Sequence, residues 1–410
     1  MSVQSADLYA GWVAAEFLHM GRPDQVYPDI THGFDMTTPP DWWAHVSATD
    51  PDARIFPYLY PPLWVALLRP VTEMTTFAAL DGIVMGLHQA LLVGMIFLAS
   101  RMCGTRGLTQ LAFVALTYTA LTLSFPVARA LEENQPQIIV SFLIVLAFER
   151  AQAGRLRTSG AVLALAAAIK LYPLLFVVIY LGRKQWSAVA SFGVAGGLLG
   201  LASIALAGWP LHQDYLHLVG ALTRSVVVSN MSISLDALVA GTGLSDGLVK
   251  VIPDNLEGTN KGWHVIDKSA VWRMASAVAT CVALAAVGVL AACRPKDALV
   301  LPVAAIALAL LSPLSWAYTY LTAFVFLAAL PLRLGGVGYA VVVASALFFH
   351  RAAPVGLLGT LQYGLTVAWV ITIVAMLLLG AAFVCAVLRR PATNAPTRAP
   401  APFLPMQKPF

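Results

Sequence analysis

The stretch AVLALAAAIKLYPLLFVVIY, Ala161 to Tyr180, decides how the rest of this chain is read. It is almost wholly apolar, yet it holds Lys170, the first lysine in the sequence, with Tyr172 and Pro173 just after it. A cation inside a bilayer-length run is costly and marks a bundle interior, a polar cavity or an ion pathway, unless it snorkels to the headgroups. Pro173 has no backbone N–H and disfavours helix at the residue before it, so a helix entering this stretch kinks or stops near Tyr172. From Thr158 to Lys170 a helix rises about 18 Å, and from Leu171 to Gly182 about 18 Å again, against a hydrocarbon core about 30 Å thick. The stretch is therefore expected to pass the midplane, turn at residues 170–173 and return, with the lysine at the apex.

Composition agrees with a membrane setting. Hydrophobic residues make up 59% of the 410 and charged residues only 11%. Ordinary globular chains are about 25% charged, so this one reads as an all-α polytopic membrane protein. The net charge of +5 is small, and no nucleic-acid partner is expected. The four cysteines, Cys103, Cys281, Cys293 and Cys385, lie in or beside apolar runs without ligand spacing, so neither a disulfide nor a metal site is expected.

The first sixty residues differ from the rest. They carry Asp7, Glu16, Asp24, Asp29, Asp35, Asp41, Asp50 and Asp52 against only Arg22 and Arg54. Ala10 to Met20 suits a short amphipathic helix at the interface, and Pro61 to Leu68 a second one begun by prolines. Candidate spans follow at 76–100, 108–125, 136–149, the broken pair 158–182, 186–208, 270–293, 297–314, 316–332, 336–350 and 360–388, about 11 segments in all. With residues 1–75 outside, the inner connections hold Arg101, Arg106, Arg150, Arg155, Arg157, Arg183, Lys184, Arg294, Lys296, Arg333, Arg389 and Arg390. This is a positive-inside pattern, and it requires 158–182 to return to the side it entered from. The expected organisation is an extracytoplasmic loop at 1–75, a transmembrane bundle at 76–390 with an outer loop at 209–269, and a disordered cytoplasmic tail at 391–410.

Six short motifs, in order, carry a resemblance. They are Asp7-Leu-Tyr9 with Gly21 and Val26-Tyr27; Phe56 to Pro62; Asn134-Gln-Pro-Gln137; Ala167 to Pro173; Asn230 to Leu235; and Ser312-Pro-Leu-Ser-Trp316. Together they resemble the polyprenol-phosphate-mannose-dependent glycosyltransferases of the glycosyltransferase C superfamily, family 87. Three positions depart from the family pattern: Glu133 stands in place of glycine, Gln137 in place of asparagine, and Tyr318 in place of histidine.

The resemblance implies an inverting transferase moving mannose, arabinofuranose or a related sugar from polyprenyl phosphate to an extracytoplasmic glycan or glycolipid acceptor. It implies a bacterial inner-membrane setting and no cofactor. Asp7 is then the general base, Lys170 holds the donor phosphate, and Arg129 is a second phosphate candidate. Tyr9, Tyr58, Tyr60, Gln135, Trp316 and Tyr318 are expected along the substrates, with Asn230 and Ser232 at the acceptor entrance. Asp50-Pro-Asp52 looks like a metal-binding pair but suits an extended proline loop better. Two rivals stay open: a transporter or flippase of lipid-linked sugars, which also uses broken helices, and a lipid-linked glycan polymerase or ligase. The motif series starts at the seventh residue, where the family's first span has just ended. A start placed too late, with about 20 apolar residues encoded upstream, is therefore expected.

Overall fold

The computed structural model describes residues 5–51, 55–242, 248–251, 264–349 and 365–389. Asp52, Arg54, Arg390, the tail 391–410 and parts of the 209–269 loop and of the last two spans lie outside the described residues.

The chain opens with an aromatic lobe built from α1 (Ala6–His19), α2 (Pro40–Ser47) and α3 (Pro62–Met74). α1 was expected as an interfacial amphipathic helix from Ala10. Instead it begins at Ala6 and is buried on nearly every face, from Leu8 and Trp12 to Val13 and Phe17. α3 approaches it closely at Gly11, where a Cβ would lie 3.2 Å from Leu68 and 3.3 Å from Trp64. Pro61 and Pro62 set the start of α3, where the missing N–H groups cost nothing.

The helical bundle follows with α4 (Phe77–Met102), α5 (Gly107–Thr122), α6 (Phe125–Glu132), α7 (Gln137–Gln152) and α8 (Leu156–Ile169). α8 ends because Lys170 takes extended backbone, φ −136° and ψ 137°. A single 3-10 turn, Tyr172–Phe176, carries Pro173, and α9 (Val177–Gly182) leads back. The two arms close on each other: the hydroxyls of Ser159 and Tyr180 are 2.6 Å apart. α10 (Trp186–Ala207) then packs on α8 at Gly160, where a Cβ would stand 2.1 Å from the Ala188 carbonyl oxygen.

On the far side lie α11 (Trp209–Arg224), β1 (Ser225–Val228), α12 (Leu235–Gly241), β2 (Leu248–Val251) and β3 (His264–Asp267). The strands form an antiparallel sheet in the order β1-β3-β2, with Ser225 opposite Asp267. Sequence reading saw only a loop here, since four-residue strands are too short to show a period. The chain continues through α13 (Ala270–Cys293), α14 (Val300–Leu310), α15 (Leu321–Phe324), α16 (Ala329–Leu334), α17 (Gly336–Phe348) and α18 (Val367–Leu388). The run expected as a span over 316–332 is instead a buried series of short turns, with a 3-10 turn at Ala317–Tyr320 before α15.

Among the described residues, α4, α10, α13 and α18 are each long and apolar enough to cross a membrane, and five shorter apolar helices accompany them. Contacts at their ends define two poles. At one, Arg101 pairs with Glu149 at 3.1 Å, and Gln152 reaches the Met102 and Lys296 carbonyls at 3.2 and 3.4 Å. Arg183 and Arg333 meet at Asp297, and Arg294 bonds the Leu388 carbonyl at 3.1 Å. At the other pole, Asn134 bonds Asp81 near the start of α4, and Asn230 caps the start of α18 through Thr366. The protein is a helical membrane protein with Arg101, Arg183, Arg294 and Arg333 grouped at one pole.

Candidate active site

The second pole holds Asp7 in the first turn of α1. Gln135 Nε2 donates to Asp7 Oδ2 at 2.6 Å, and the Tyr60 hydroxyl donates to Gln135 Oε1 at 2.5 Å. A local device aims Gln135. Asn134 sits at φ +45°, a left-handed conformation that asparagine tolerates, and its amide donates to the Asp81 carboxylate at 2.8 Å. Pro136 then turns the chain into α7, so that Gln135 and Gln137 both face inward. Tyr60 is held by its own carbonyl, which accepts from the Tyr27 hydroxyl at 2.8 Å.

Lys170 comes from the hairpin apex. Its ammonium lies 5.2 Å from the Tyr60 ring centroid and 5.4 Å from that of Tyr318, within cation–π reach. It donates to Gln137 Oε1 at 3.2 Å, while Gln137 Nε2 donates to the Tyr172 hydroxyl at 2.6 Å and to Ser141 Oγ at 3.0 Å. Gln137 therefore anchors the lysine to the hairpin turn. Burial pushes the Asp7 carboxyl up to about 6, against the opposing pull of Lys170, the Gln135 amide and Arg129. A carboxylate near that value is ionised at neutral pH yet basic enough to accept a proton.

Asp7, Tyr60, Lys170, Tyr172, Trp316 and Tyr318 all line a cavity of about 720 Å³. Trp316 packs on both hydrophobic cores, that of the bundle and that of the aromatic lobe, and so closes the seam between them. The same cavity is also lined by Asp236, Lys268, Arg273 and Ser276. Lys268 donates to Asp236 Oδ2 at 2.8 Å, and Trp272 and Ser276 both donate to Oδ1 at 2.8 Å. Sequence reading missed this group because its members lie 32 to 40 residues apart. It also passed over Gln137 as more than a departure from the family pattern.

Other expected site residues fall elsewhere. Arg129 does not line the large cavity; it pairs with Glu132 at 2.9 Å and with Glu133, and borders a side pocket of about 50 Å³ that Asp7, Trp316 and Tyr318 also line. That pairing was legible, since glutamates at i+3 and i+4 share its helix face. Tyr9 packs on Phe77 with ring centroids 4.6 Å apart. Tyr58 is buried, donating to the Pro61 carbonyl at 2.9 Å and accepting from the Val65 N–H at 3.0 Å. Asn230 Oδ1 accepts from the Thr366 N–H at 3.0 Å, and the Ser232 carbonyl accepts from Trp369 at 2.6 Å. These two brace α18 and do not line the cavity.

The fold and this pole define a multi-pass helical membrane protein with a carboxylate and an ammonium facing one cavity. The model of glycosyltransferase family 87 matches residues 58–314, more than half of the chain, and the chain belongs to that family. A search of curated proteins finds no match. The matched region includes Tyr60, Gln135 and Lys170 but starts after Asp7 and ends before Trp316 and Tyr318. Asp7, Trp316 and Tyr318 join the matched Tyr60 and Lys170 through the cavity they line together.

Proposed function

We propose that this membrane glycosyltransferase moves mannose, arabinofuranose or a related sugar from a polyprenyl-phosphate donor to a hydroxyl of a glycan or glycolipid. The observation that carries the reading is the shared cavity of Asp7 and Lys170, bridged by the rings of Tyr60 and Tyr318. In the step proposed, an acceptor oxygen attacks the anomeric carbon while Asp7 takes its proton. The bond from that carbon to the phosphate oxygen breaks, and the electron pair leaves with the polyprenyl phosphate. Lys170 stabilises the charge that develops there. A single displacement inverts the anomeric centre and needs no covalent enzyme intermediate. Trp316 and Tyr318 offer flat faces for sugar rings, and Gln135 orients the base.

The proposed setting is a bacterial inner membrane crossed by about 11 segments, counting the hairpin arms and the helices shorter than a full span. The gathering of Arg101, Arg183, Arg294 and Arg333 at one pole supports a cytoplasmic location for that pole and an extracytoplasmic one for Asp7. Residues 1–75 would then form the outer lobe, 76–390 the bundle and 209–269 the outer cover. A flippase would also use the broken helix and its cation, but a carboxylate with a raised pKa beside them favours proton abstraction. A polymerase or ligase would share the chemistry and differ in the acceptor.

The test is transfer by the purified chain from a synthetic polyprenyl-phosphate sugar. Asp7→Asn keeps the size of the side chain and removes its basicity. Turnover is expected to fall by roughly 10²- to 10⁴-fold, the usual contribution of a general base, with donor binding retained. Turnover equal to the parent would remove Asp7 from the mechanism.

A further inference from the structure

The charged groups lining the large cavity do not balance. They are Asp7, Lys170, Asp236, Lys268 and Arg273, three cations against two carboxylates. Lys268 and Asp236 neutralise each other at 2.8 Å, and the Lys170 charge acts on Asp7. Arg273 remains. It is exposed and makes no ion pair or side-chain hydrogen bond among the described residues.

Its position gives that charge a direction. Arg273, Ser276, Ala277, Thr280 and Cys281 all line the cavity, and their spacing of i, i+3, i+4, i+7 and i+8 makes one face of α13. From Arg273 to Cys281 this face descends about 12 Å along the helix, well into the apolar layer. The cavity lining also includes Leu171, Leu174 and Leu175 of the hairpin turn, and Leu171 and Leu174 are 41% and 37% exposed. α13 itself is among the least buried of the long apolar helices. The cavity is thus bordered by two lipid-facing apolar elements, with a guanidinium that is unpaired among the described residues near the start of α13. Such a slot matches an amphiphile with a long apolar chain and an anionic head. Arg129, the earlier second candidate for the phosphate, is occupied by Glu132 and Glu133.

We propose that Arg273 receives the phosphate of the polyprenyl-phosphate donor at the side opening of the cavity, with the polyprenyl chain lying between α13 and Leu171–Leu175. This rests on the donor class proposed above. The guanidinium suits a phosphate because its planar fork donates two parallel N–H bonds. Lys170, farther in, then acts on the phosphate as the sugar leaves.

The probe is polyprenyl phosphate without sugar, bound to the purified full chain in lipid nanodiscs. Arg273→Gln is expected to weaken binding on the order of tenfold, the effect of losing a charge-assisted hydrogen bond. Arg273→Lys should recover part of it. A second readout is native Cys281 on the same face: polyprenyl phosphate should slow its alkylation while leaving exposed Cys385 unaffected. Undiminished binding by Arg273→Gln, or Cys281 alkylated at the same rate with and without the lipid, overturns the assignment. So does a rise in the acceptor KM with the donor KM unchanged, which would make Arg273 an acceptor contact. A parent chain that is folded but binds no polyprenyl phosphate overturns the donor reading, and this inference with it.

Discussion

Gln135 and Asp7, 128 residues apart in sequence, meet at 2.6 Å, and the amide can face the carboxylate in only one way. A carboxylate has no hydrogen to give, so the Gln135 NH₂ must point at it and the carbonyl must point back at the Tyr60 hydroxyl. This arrangement stabilises ionised Asp7, and a side-chain hydrogen bond from Tyr318 acts in the same direction.

Gln135→Leu therefore removes a donor to a buried carboxylate without changing charge. kcat at pH 7 is expected to fall by roughly 10- to 150-fold, given that a hydrogen bond to a charged group contributes about 1.5–3 kcal/mol. Gln135→Glu should be worse, because two adjacent carboxyls share one proton and the base stays neutral at pH 7. Steady-state kinetics of the two variants at pH 7 and 8.5 checks the order. Both variants should recover in part at the higher pH, because loss of the Gln135 donor moves the Asp7 inflection upward, and Gln135→Glu should stay the slower of the two at pH 7.

The pH profile follows from the raised Asp7 value of about 6. A base works only when deprotonated, so kcat/KM should rise tenfold per pH unit below about 6 and level off above it. The inflection belongs to the free enzyme. A profile flat between pH 5 and 8 would assign the proton transfer to another group. Tyr60→Phe leaves Gln135 Oε1 without its donor and is expected to move the inflection upward.

Lys170→Met places an apolar chain between the Tyr60 and Tyr318 rings, where sulfur packs well, so the fold should persist. Donor affinity and turnover should both drop, and Lys170→Arg should restore only part, since a planar fork is not a compact point charge. Full activity of Lys170→Met with the sugar donor would reduce this lysine to an anchoring role.

The hairpin makes a positional prediction. Because Ser159 and Tyr180 touch at 2.6 Å, residues on either side of the hairpin lie at the same pole. In a background freed of native cysteines, Lys184→Cys and Arg101→Cys should be labelled from the same side of the membrane, the cytoplasmic one. Gly160→Ala puts a methyl into the Ala188 carbonyl and forces α8 away from α10. Overpacking of this kind costs about 1–3 kcal/mol, so the melting temperature should fall together with activity.

Local chemistry was readable from the chain wherever one residue type forces one conformation. Pro173 breaks a helix wherever it stands, Pro61 and Pro62 start one, and a lysine in an apolar run must find polar company. The membrane class follows from composition alone, because apolar surface on this scale has no other stable environment. Partner choice was not readable in this way. Asn230, Ser232 and Arg129 are polar residues in motif positions, and nothing local distinguishes a brace from a substrate contact. The fold sets Asn230 Oδ1 against the Thr366 N–H, the Ser232 backbone carbonyl against the Trp369 indole N–H, and Arg129 against the Glu132–Glu133 pair. The same holds for Asp236 and Lys268, whose separate sequence positions become one buried pair. α1 reads as amphipathic over a few turns, yet tertiary packing covers nearly all of it. Sequence thus determined where the chain must bend and which solvent it needs, since those are energies of single residues. The tertiary structure decided which polar groups remain unsatisfied and face the cavity, since that depends on every neighbour at once.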